Sequence, residues 1–112
     1  MEARATFLWV PCRPYLPVRE MVPIFDDDCS LLLAYQQIVG GYIDEAWRVS
    51  DVEAGCSYVA YRNADARLLN LPNNERCWLS GTGAVRGNVV VAREAADGTA
   101  LPMTLRLWET LV

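Results

Sequence analysis

The stretch that decides the fold is "LLLAYQQIVGGYIDEAWRV", residues 31–49, because its apolar pattern changes period at a pair of glycines. Before the glycines, apolar residues recur three and four positions apart, which is typical of an amphipathic helix. After them, apolar and polar residues alternate, which is typical of a strand. Gly40 stands where a helix commonly ends with positive φ, a conformation that glycine adopts at least cost. The sequence therefore predicts a helix that stops at the glycines and a strand that follows them.

A phosphate-binding loop is the alternative role for a glycine pair, but it needs the reverse order of elements. Such loops follow a strand and open a helix, so that backbone N–H groups meet the anion at the positive end of the helix dipole. Gly40 and Gly41 follow the predicted helix and lie at the negative end of its dipole. The order of elements favours a structural role for the pair.

The predicted helix is about ten residues long, with Ser30 as its N-cap. Asp26, Asp27 and Asp28 precede it, on the side of the helix dipole that favours carboxylates. Adjacent aspartates at this position are typical of solvated dipole partners rather than of a catalytic carboxylate pair.

Segments rich in β-branched and aromatic residues predict further strands. Besides the strand at 42–49, the predicted strands are residues 5–10, 18–25, 56–62 and 84–94. Because Pro23 cannot donate a ladder hydrogen bond, the strand at 18–25 is expected at a sheet edge or to end there. Gly87 predicts a bulge or a close backbone approach within the last strand.

The C-terminal segment "TLRLWETLV", residues 104–112, predicts a short helix capped by Thr104, with a final strand as the alternative. No interdomain linker or repeat interrupts the chain, so one domain is expected over residues 1–112. The predicted fold class is α+β: a mostly antiparallel sheet of about five strands packed against one central helix, with a short C-terminal helix.

Composition excludes several classes of function. The chain has 10 basic and 14 acidic residues, a net charge of −4, and so lacks the basic footprint of a nucleic-acid-binding protein. Histidine is absent, which removes the commonest catalytic acid–base group and the commonest metal ligand. No apolar run approaches the roughly 18 residues that a membrane-spanning helix needs. We therefore expect neither a nucleic-acid partner nor a membrane protein.

The cysteines give no indication of a metal site. Cys12, Cys29, Cys56 and Cys77 include no C-x-x-C pair of the kind that zinc sites use. No basic and apolar leader opens the chain, so we expect a cytoplasmic protein with reduced, mostly buried thiols. The sequence predicts no metal and no cofactor.

The Asn-rich segment at residues 63–76 is the strongest candidate for a binding surface. Asn side chains both donate and accept hydrogen bonds, and arginine pairs with carboxylate or phosphate groups. The candidate ligand- or partner-binding residues are Asn63, Asp65, Arg67, Asn73, Asn74 and Arg76. The structural alternative is that the Asn side chains cap turns and pin the loop to the sheet. In either case Leu68, Leu69 and Leu71 are expected to point inward.

Three segments resemble a known family: "LLLAYQQIVGGYID", "NADARLLNLPNN" and "VRGNVVVAR". In the family catalogued as domain of unknown function 3846, a helix ends in Val-Gly-Gly-Tyr-Ile-Glu, an Asn-acidic segment closes on Leu-Pro-x-Asn, and a strand containing glycine follows. The matching positions are Val39 to Asp44, then Asn63, Asp65, Leu71, Pro72 and Asn74, and finally Gly87. The family comprises small proteins of phages, plasmids and their bacterial hosts. The resemblance implies a mobile-element setting and no particular activity.

Three hypotheses about function follow. The first is a non-catalytic accessory protein of a phage or other mobile element that binds a host protein in the host cytoplasm, for counter-defence or host take-over. The second is a protein that binds or sequesters a small polar or phosphorylated ligand, such as a nucleotide signal. The third is a minimal enzyme, but no catalytic residue is predicted because a Ser or Cys nucleophile would lack its usual histidine base. The oligomeric state stays open between a monomer and a homo-oligomer.

Overall fold

The computed structural model describes residues 5–23, 28–77 and 83–111, which form one antiparallel sheet with a helix on each face. In chain order the elements are β1 (Phe7–Val10), β2 (Arg19–Met21), α1 (Asp28–Val39), β3 (Ile43–Asp51), β4 (Cys56–Asn63), a 3-10 turn (Glu75–Cys77), β5 (Val89–Ala95), β6 (Ala100–Leu101) and α2 (Leu105–Leu111). The strand order is β2-β1-β5-β4-β3, and β6 pairs with β5. The predicted α+β class, the antiparallel sheet, the central helix and the short C-terminal helix are confirmed.

Strand β5 is the centre of the sheet and contributes to both layers of the core. Strand β4 pairs with its residues 90–95, and on the opposite edge β1 pairs with 89–91 and β6 with 93–94. Because side chains alternate along a strand, Val89 and Val91 pack in the layer that contains Trp108 of α2. Val90 and Ala92 pack in the layer that contains α1. These four side chains are essentially inaccessible to solvent. Burial on both faces explains why this part of β5, "VVVA", is apolar throughout.

Helix α1 covers one face of the sheet through residues spaced four apart. Leu31, Tyr35 and Val39 are its buried side chains. The Tyr35 ring meets Phe7 edge-on at 5.0 Å and stacks on Tyr61 at 5.6 Å. Aromatic contacts of this geometry add to the area that the helix buries.

The glycine pair ends α1 as predicted. Gly40 has φ of 83°, and the N–H groups of Gly40 and Gly41 both donate to the Gln36 carbonyl, at 2.9 and 3.1 Å. The Asn63 side chain closes the same helix end, because its Nδ2 donates to the Val39 carbonyl at 3.1 Å. A Cβ on Gly41 would lie 3.0 Å from that Nδ2. The second glycine therefore leaves room for the capping amide.

The predicted start of α1 is wrong by three residues, because an N-cap at Ser30 puts the first helical residue at Leu31. The helix begins at Asp28, so Ser30 lies within its first turn and is not the N-cap. Aspartate and serine are both favoured near a helix N-terminus, so the residue types alone do not decide where the helix begins. Asp26 and Asp27 lie outside the described residues, as do residues 24–25 of the second predicted strand. The edge position of that strand, β2, is confirmed.

The prediction that three leucines of the 63–76 segment point inward is wrong for two of them. Leu68 is 86% exposed and Leu69 57% exposed, whereas Ala66 is buried and Leu71 half-buried. The segment bonds its own backbone in successive turns, with N–H groups of residues 66, 69, 70 and 71 donating to carbonyls three to five residues back. Because these turns coil the chain, only one side of it faces the sheet.

Two further predictions concern Gly87 and Thr104. The strand predicted over residues 84–94 begins at Val89, so the prediction that Gly87 interrupts it is wrong. Gly87 lies ahead of β5 with φ of 81°, and a Cβ there would lie 2.8 Å from the Leu71 side-chain atom Cδ1. Thr104 caps α2 by accepting from the Leu107 N–H at 3.2 Å, as predicted.

Among the described residues no helix is both long and apolar enough to cross a bilayer.

Candidate functional site: an arginine-lined cavity

A cavity of about 440 Å³ lies where the chain leaves β4 and where it approaches β5. Three arginines line it: Arg62, Arg67 and Arg86. Asn63, three alanines and Leu68 complete its described lining. None of these described lining residues is acidic, although the whole chain carries a net charge of −4. The cavity therefore concentrates positive charge on an acidic protein.

Each arginine reaches the cavity from a different local structure. Arg62 belongs to β4 and lies opposite Asp44 of β3, whose carboxylate it contacts at 3.2 Å. Arg67 lies in the turns that follow β4, and its side chain is exposed. Arg86 lies just before Gly87, in a short antiparallel bridge with Asn73. The site depends on the β4–β5 pairing and on this bridge, both of which join residues distant in sequence.

The bridge that positions Arg86 is held by backbone and side-chain bonds. The Asn74 N–H donates to the Val85 carbonyl and the Gly87 N–H to the Pro72 carbonyl, both at 2.7 Å. The Arg86 Nη1 donates to the Leu71 carbonyl and to the Asn70 Oδ1, each at 3.2 Å. Both acceptors are neutral, so they orient the guanidinium without cancelling its charge.

The charge of the cavity is only partly compensated. Arg62 shares its charge with Asp44, in a pair that is about one-third to one-half exposed and so contributes little stability. Within the described part of the chain, Arg67 and Arg86 have no carboxylate partner. Two guanidinium groups therefore face the cavity without a counter-charge.

The structure places two of the predicted site residues in the core. Asn63 is 4% exposed: its Nδ2 bonds the end of α1 and its Oδ1 accepts from the Asp65 N–H at 2.8 Å. Asn74 is 1% exposed, and its Nδ2 donates to the Val10 and Gly87 carbonyls at 2.8 and 3.0 Å. These contacts match the structural alternative, in which Asn side chains pin the segment to the sheet.

The other four predicted residues lie at three different places. Arg67 lines the cavity, and Asp65 lies two residues away on the exposed turns. Arg76 does not line it: its Nη2 donates to the carbonyls of Arg13 and Pro14, tying the 3-10 turn to the connection between β1 and β2. Asn73 lies beside Arg86, across the bridge.

Sequence reasoning missed Arg86 because residues 84–94 read as one strand. The "RG" pair in "VRGNVV" is the only local signal. A glycine with positive φ directly after an arginine places that arginine in a turn rather than within a strand.

A second polar cluster lies on the α1 face of the sheet. Glu94 accepts from Arg48 at 3.2 Å and from the Tyr61 hydroxyl, and Arg48 also bonds Glu45 at 2.8 Å. Burial, together with the bond to Glu94, raises the pKa of Tyr61 well above its usual value. Each Glu94 oxygen accepts from one of these partners, so the cluster joins strands β3, β4 and β5 on this face of the sheet.

The four thiols are not gathered into a site. Cys56 and Cys77 are buried, Cys12 is half-buried and Cys29 is exposed. Burial raises the pKa of Cys77 to about 12. The described residues contain no group of three or more Cys, Asp or Glu side chains placed to hold a metal ion.

The chain matches no protein-family model, no curated protein and no solved structure.

Proposed function

We propose that the protein binds a small phosphorylated ligand, without catalysing its conversion, in the arginine-lined cavity. The observation that supports this proposal most directly is the convergence of Arg62, Arg67 and Arg86 on one concave site of about 440 Å³. Cavities of a few hundred cubic ångströms are the usual size of small-molecule sites. Arginine binds phosphate with paired, charge-assisted hydrogen bonds, which are stronger than bonds between neutral groups.

A phosphate group suits the cavity better than a neutral polar ligand. A neutral ligand leaves the guanidinium charges of Arg67 and Arg86 uncompensated when it displaces water from them. A phosphate monoester carries nearly two negative charges at neutral pH and compensates both. Arginine is also more weakly hydrated than lysine, so it loses less on leaving water.

The described lining supports binding rather than catalysis. It consists of arginine, asparagine, alanine and leucine side chains. These side chains do not serve as nucleophiles or as general acids and bases near neutral pH. A non-catalytic role is also the simpler expectation for a chain without histidine.

A second candidate function is the binding of a host protein by an accessory protein of a mobile element in the host cytoplasm. Two exposed leucines favour it, because Leu68 lines the cavity and is 86% exposed, and Leu69 beside it is 57% exposed. Apolar side chains beside positive charge suit an acidic partner surface that also offers an apolar anchor. In this candidate function the cavity arginines bind carboxylates of the partner.

The test is a calorimetric titration with ribose 5-phosphate at low ionic strength. We expect Arg67→Ala to weaken binding about tenfold or more, because it removes a charge-assisted contact worth at least 1.4 kcal/mol. Arg106→Ala is the matched control, since Arg106 is exposed on α2 and its loss changes the net charge equally. Equal effects of the two substitutions, or no binding by the unaltered protein, would overturn the proposal.

The host-protein candidate is separated by the single change Leu69→Ser. It removes an exposed apolar contact at a residue outside the described cavity lining and leaves the cavity arginines in place. The ligand proposal expects ribose 5-phosphate to bind this variant as it binds the unaltered chain. The host-protein candidate expects the variant to lose its partner in a pull-down from host lysate.

A further inference from the structure

A second cavity, of about 350 Å³, adjoins the arginine-lined cavity, and Ala84 lines both. Its described lining consists of Asn73, Asn74, Glu75, Ala84 and Val85. Ala84 has a small, exposed side chain. This shared residue places the two cavities side by side.

The bridge between Asn73 and Arg86 joins a lining residue of the second cavity to a lining residue of the first. Bonds from the Asn74 N–H to Val85 and from the Gly87 N–H to Pro72 flank this pair. That pattern makes it a non-hydrogen-bonded antiparallel pair, whose Cβ atoms lie about 4.5–5.5 Å apart on the same face. A polar side chain of the second cavity thus starts next to an arginine of the first.

The second cavity differs in chemistry from the first. Asn73 and Glu75 are exposed polar side chains, and Val85 is a buried apolar one. In the described part of the chain Glu75 forms no ion pair. Its carboxylate is an acceptor for N–H groups, and the Asn73 amide can donate or accept. One carboxylate and one amide, with the exposed apolar Ala84 beside them, suit a flat, hydrogen-bonding ring.

We propose that the ligand is a free guanine nucleotide, with its phosphate in the arginine-lined cavity and its base in the second cavity. This inference rests on the proposed function. Guanine presents two adjacent N–H donors, N1–H and the N2 amine, which match the two oxygens of the Glu75 carboxylate. Adenine presents an acceptor, N1, beside its amine and would bring a lone pair against that carboxylate. The Asn73 amide supplies a donor for the guanine O6.

The remaining parts of the nucleotide fit the same geometry. The ribose passes over Ala84, the small residue common to both cavities. A 5′-monophosphate is close to a dianion at neutral pH, which equals the two uncompensated charges of Arg67 and Arg86. A free nucleotide is favoured over a polynucleotide because the net charge of −4 repels an extended phosphate backbone.

The test compares guanosine 5′-monophosphate, adenosine 5′-monophosphate and ribose 5-phosphate by titration calorimetry. For the unaltered protein we expect the guanine nucleotide to bind about tenfold or more tighter than the other two. Glu75→Gln should remove most of this advantage and leave ribose 5-phosphate affinity unchanged. Arg67→Ala should weaken all three compounds. Asn73→Ala provides an independent variant of the base cavity, with a smaller loss confined to the guanine nucleotide.

Other outcomes overturn the inference in distinguishable ways. If ribose 5-phosphate binds as tightly as the guanine nucleotide, the base cavity is unused and only the phosphate site stands. If both nucleotides bind equally, or Glu75→Gln weakens ribose 5-phosphate as much as the guanine nucleotide, the assignment of the base to Glu75 is wrong. If none of the three compounds binds, the proposed function falls as well. Matching thermal melts for the unaltered chain and Glu75→Gln exclude unfolding as the cause, as expected for an exposed substitution.

Discussion

Replacement of Asn74 by alanine tests whether the Asn-rich segment is pinned to the sheet by its side chains. The Asn74 Nδ2 donates to two backbone carbonyls, those of Val10 and Gly87, and the side chain is 1% exposed. Removing it leaves both carbonyls without this donor in a site that water does not reach. Among the described residues the Asn74 Oδ1 has no hydrogen-bond partner, so its removal relieves part of the cost.

These contributions can be combined into a magnitude. Each buried acceptor that loses its donor costs about 1–3 kcal/mol, and loss of the unpartnered oxygen offsets about one such contribution. The net is about one such contribution, so we expect Asn74→Ala to lower the free energy of unfolding by about 1–3 kcal/mol. For a chain of this length the melting temperature should fall by roughly 4–15 °C.

The assay is urea unfolding followed by tryptophan fluorescence, with thermal melts alongside; the chain has four Trp as reporters. Asn73→Ala is the matched control, because Asn73 is the adjacent residue of the same type and is exposed. It should change stability by less than about 0.5 kcal/mol. Similar losses for the two variants, or an unchanged melting temperature for Asn74→Ala, would refute the reasoning.

Three further predictions concern the helix end, the thiols and pH. Gly40→Val should lower the free energy of unfolding by about 1 kcal/mol or more, because φ at this residue is 83° and a β-branched side chain resists positive φ. An unchanged melting temperature would contradict a helix end at Gly40. In non-denaturing buffer Cys29 should react fast with a thiol reagent, while Cys56 and Cys77 react only after unfolding, and a chelator should leave the melting temperature unchanged. Burial raises the pKa of Cys77 from 9.0 to about 12. The buried neutral thiol therefore contributes its full stability below pH 9, and this contribution is lost as pH rises toward 12. In urea unfolding at increasing pH, Cys77→Ala should lose less of its free energy of unfolding than the unaltered chain does.

The parts of the fold that local sequence decides were predictable. The change of period at Gly40 placed the end of α1, and the Thr104 cap placed the start of α2. Both depend on residues within one turn of each other. The start of α1 was missed because Asp28 and Ser30 are both acceptable near a helix N-terminus, and local chemistry does not separate them.

The parts of the site that depend on long-range pairing were not predictable. Arg62 and Arg86 are 24 residues apart in number, and β4–β5 pairing with the Asn73 bridge brings them to one cavity. The sequence identified the loop and Arg67, but it could not show which amides turn inward. That outcome depends on partners such as the Val39 and Val10 carbonyls, which lie 24 and 64 residues from the amides that bind them.

The central claim is that the cavity arginines hold the phosphate of a ligand, and NMR of arginine side chains tests it most directly. The Nε–Hε resonances of the ten arginines in ¹⁵N-labelled protein are followed while ribose 5-phosphate is added. Our account predicts saturable shifts for Arg67 and Arg86, a smaller shift for Arg62, and none for Arg48 or Arg106, which lie outside the cavity. Binding that leaves the Arg67 and Arg86 resonances unmoved, or shifts that spread evenly over all arginines, would contradict it.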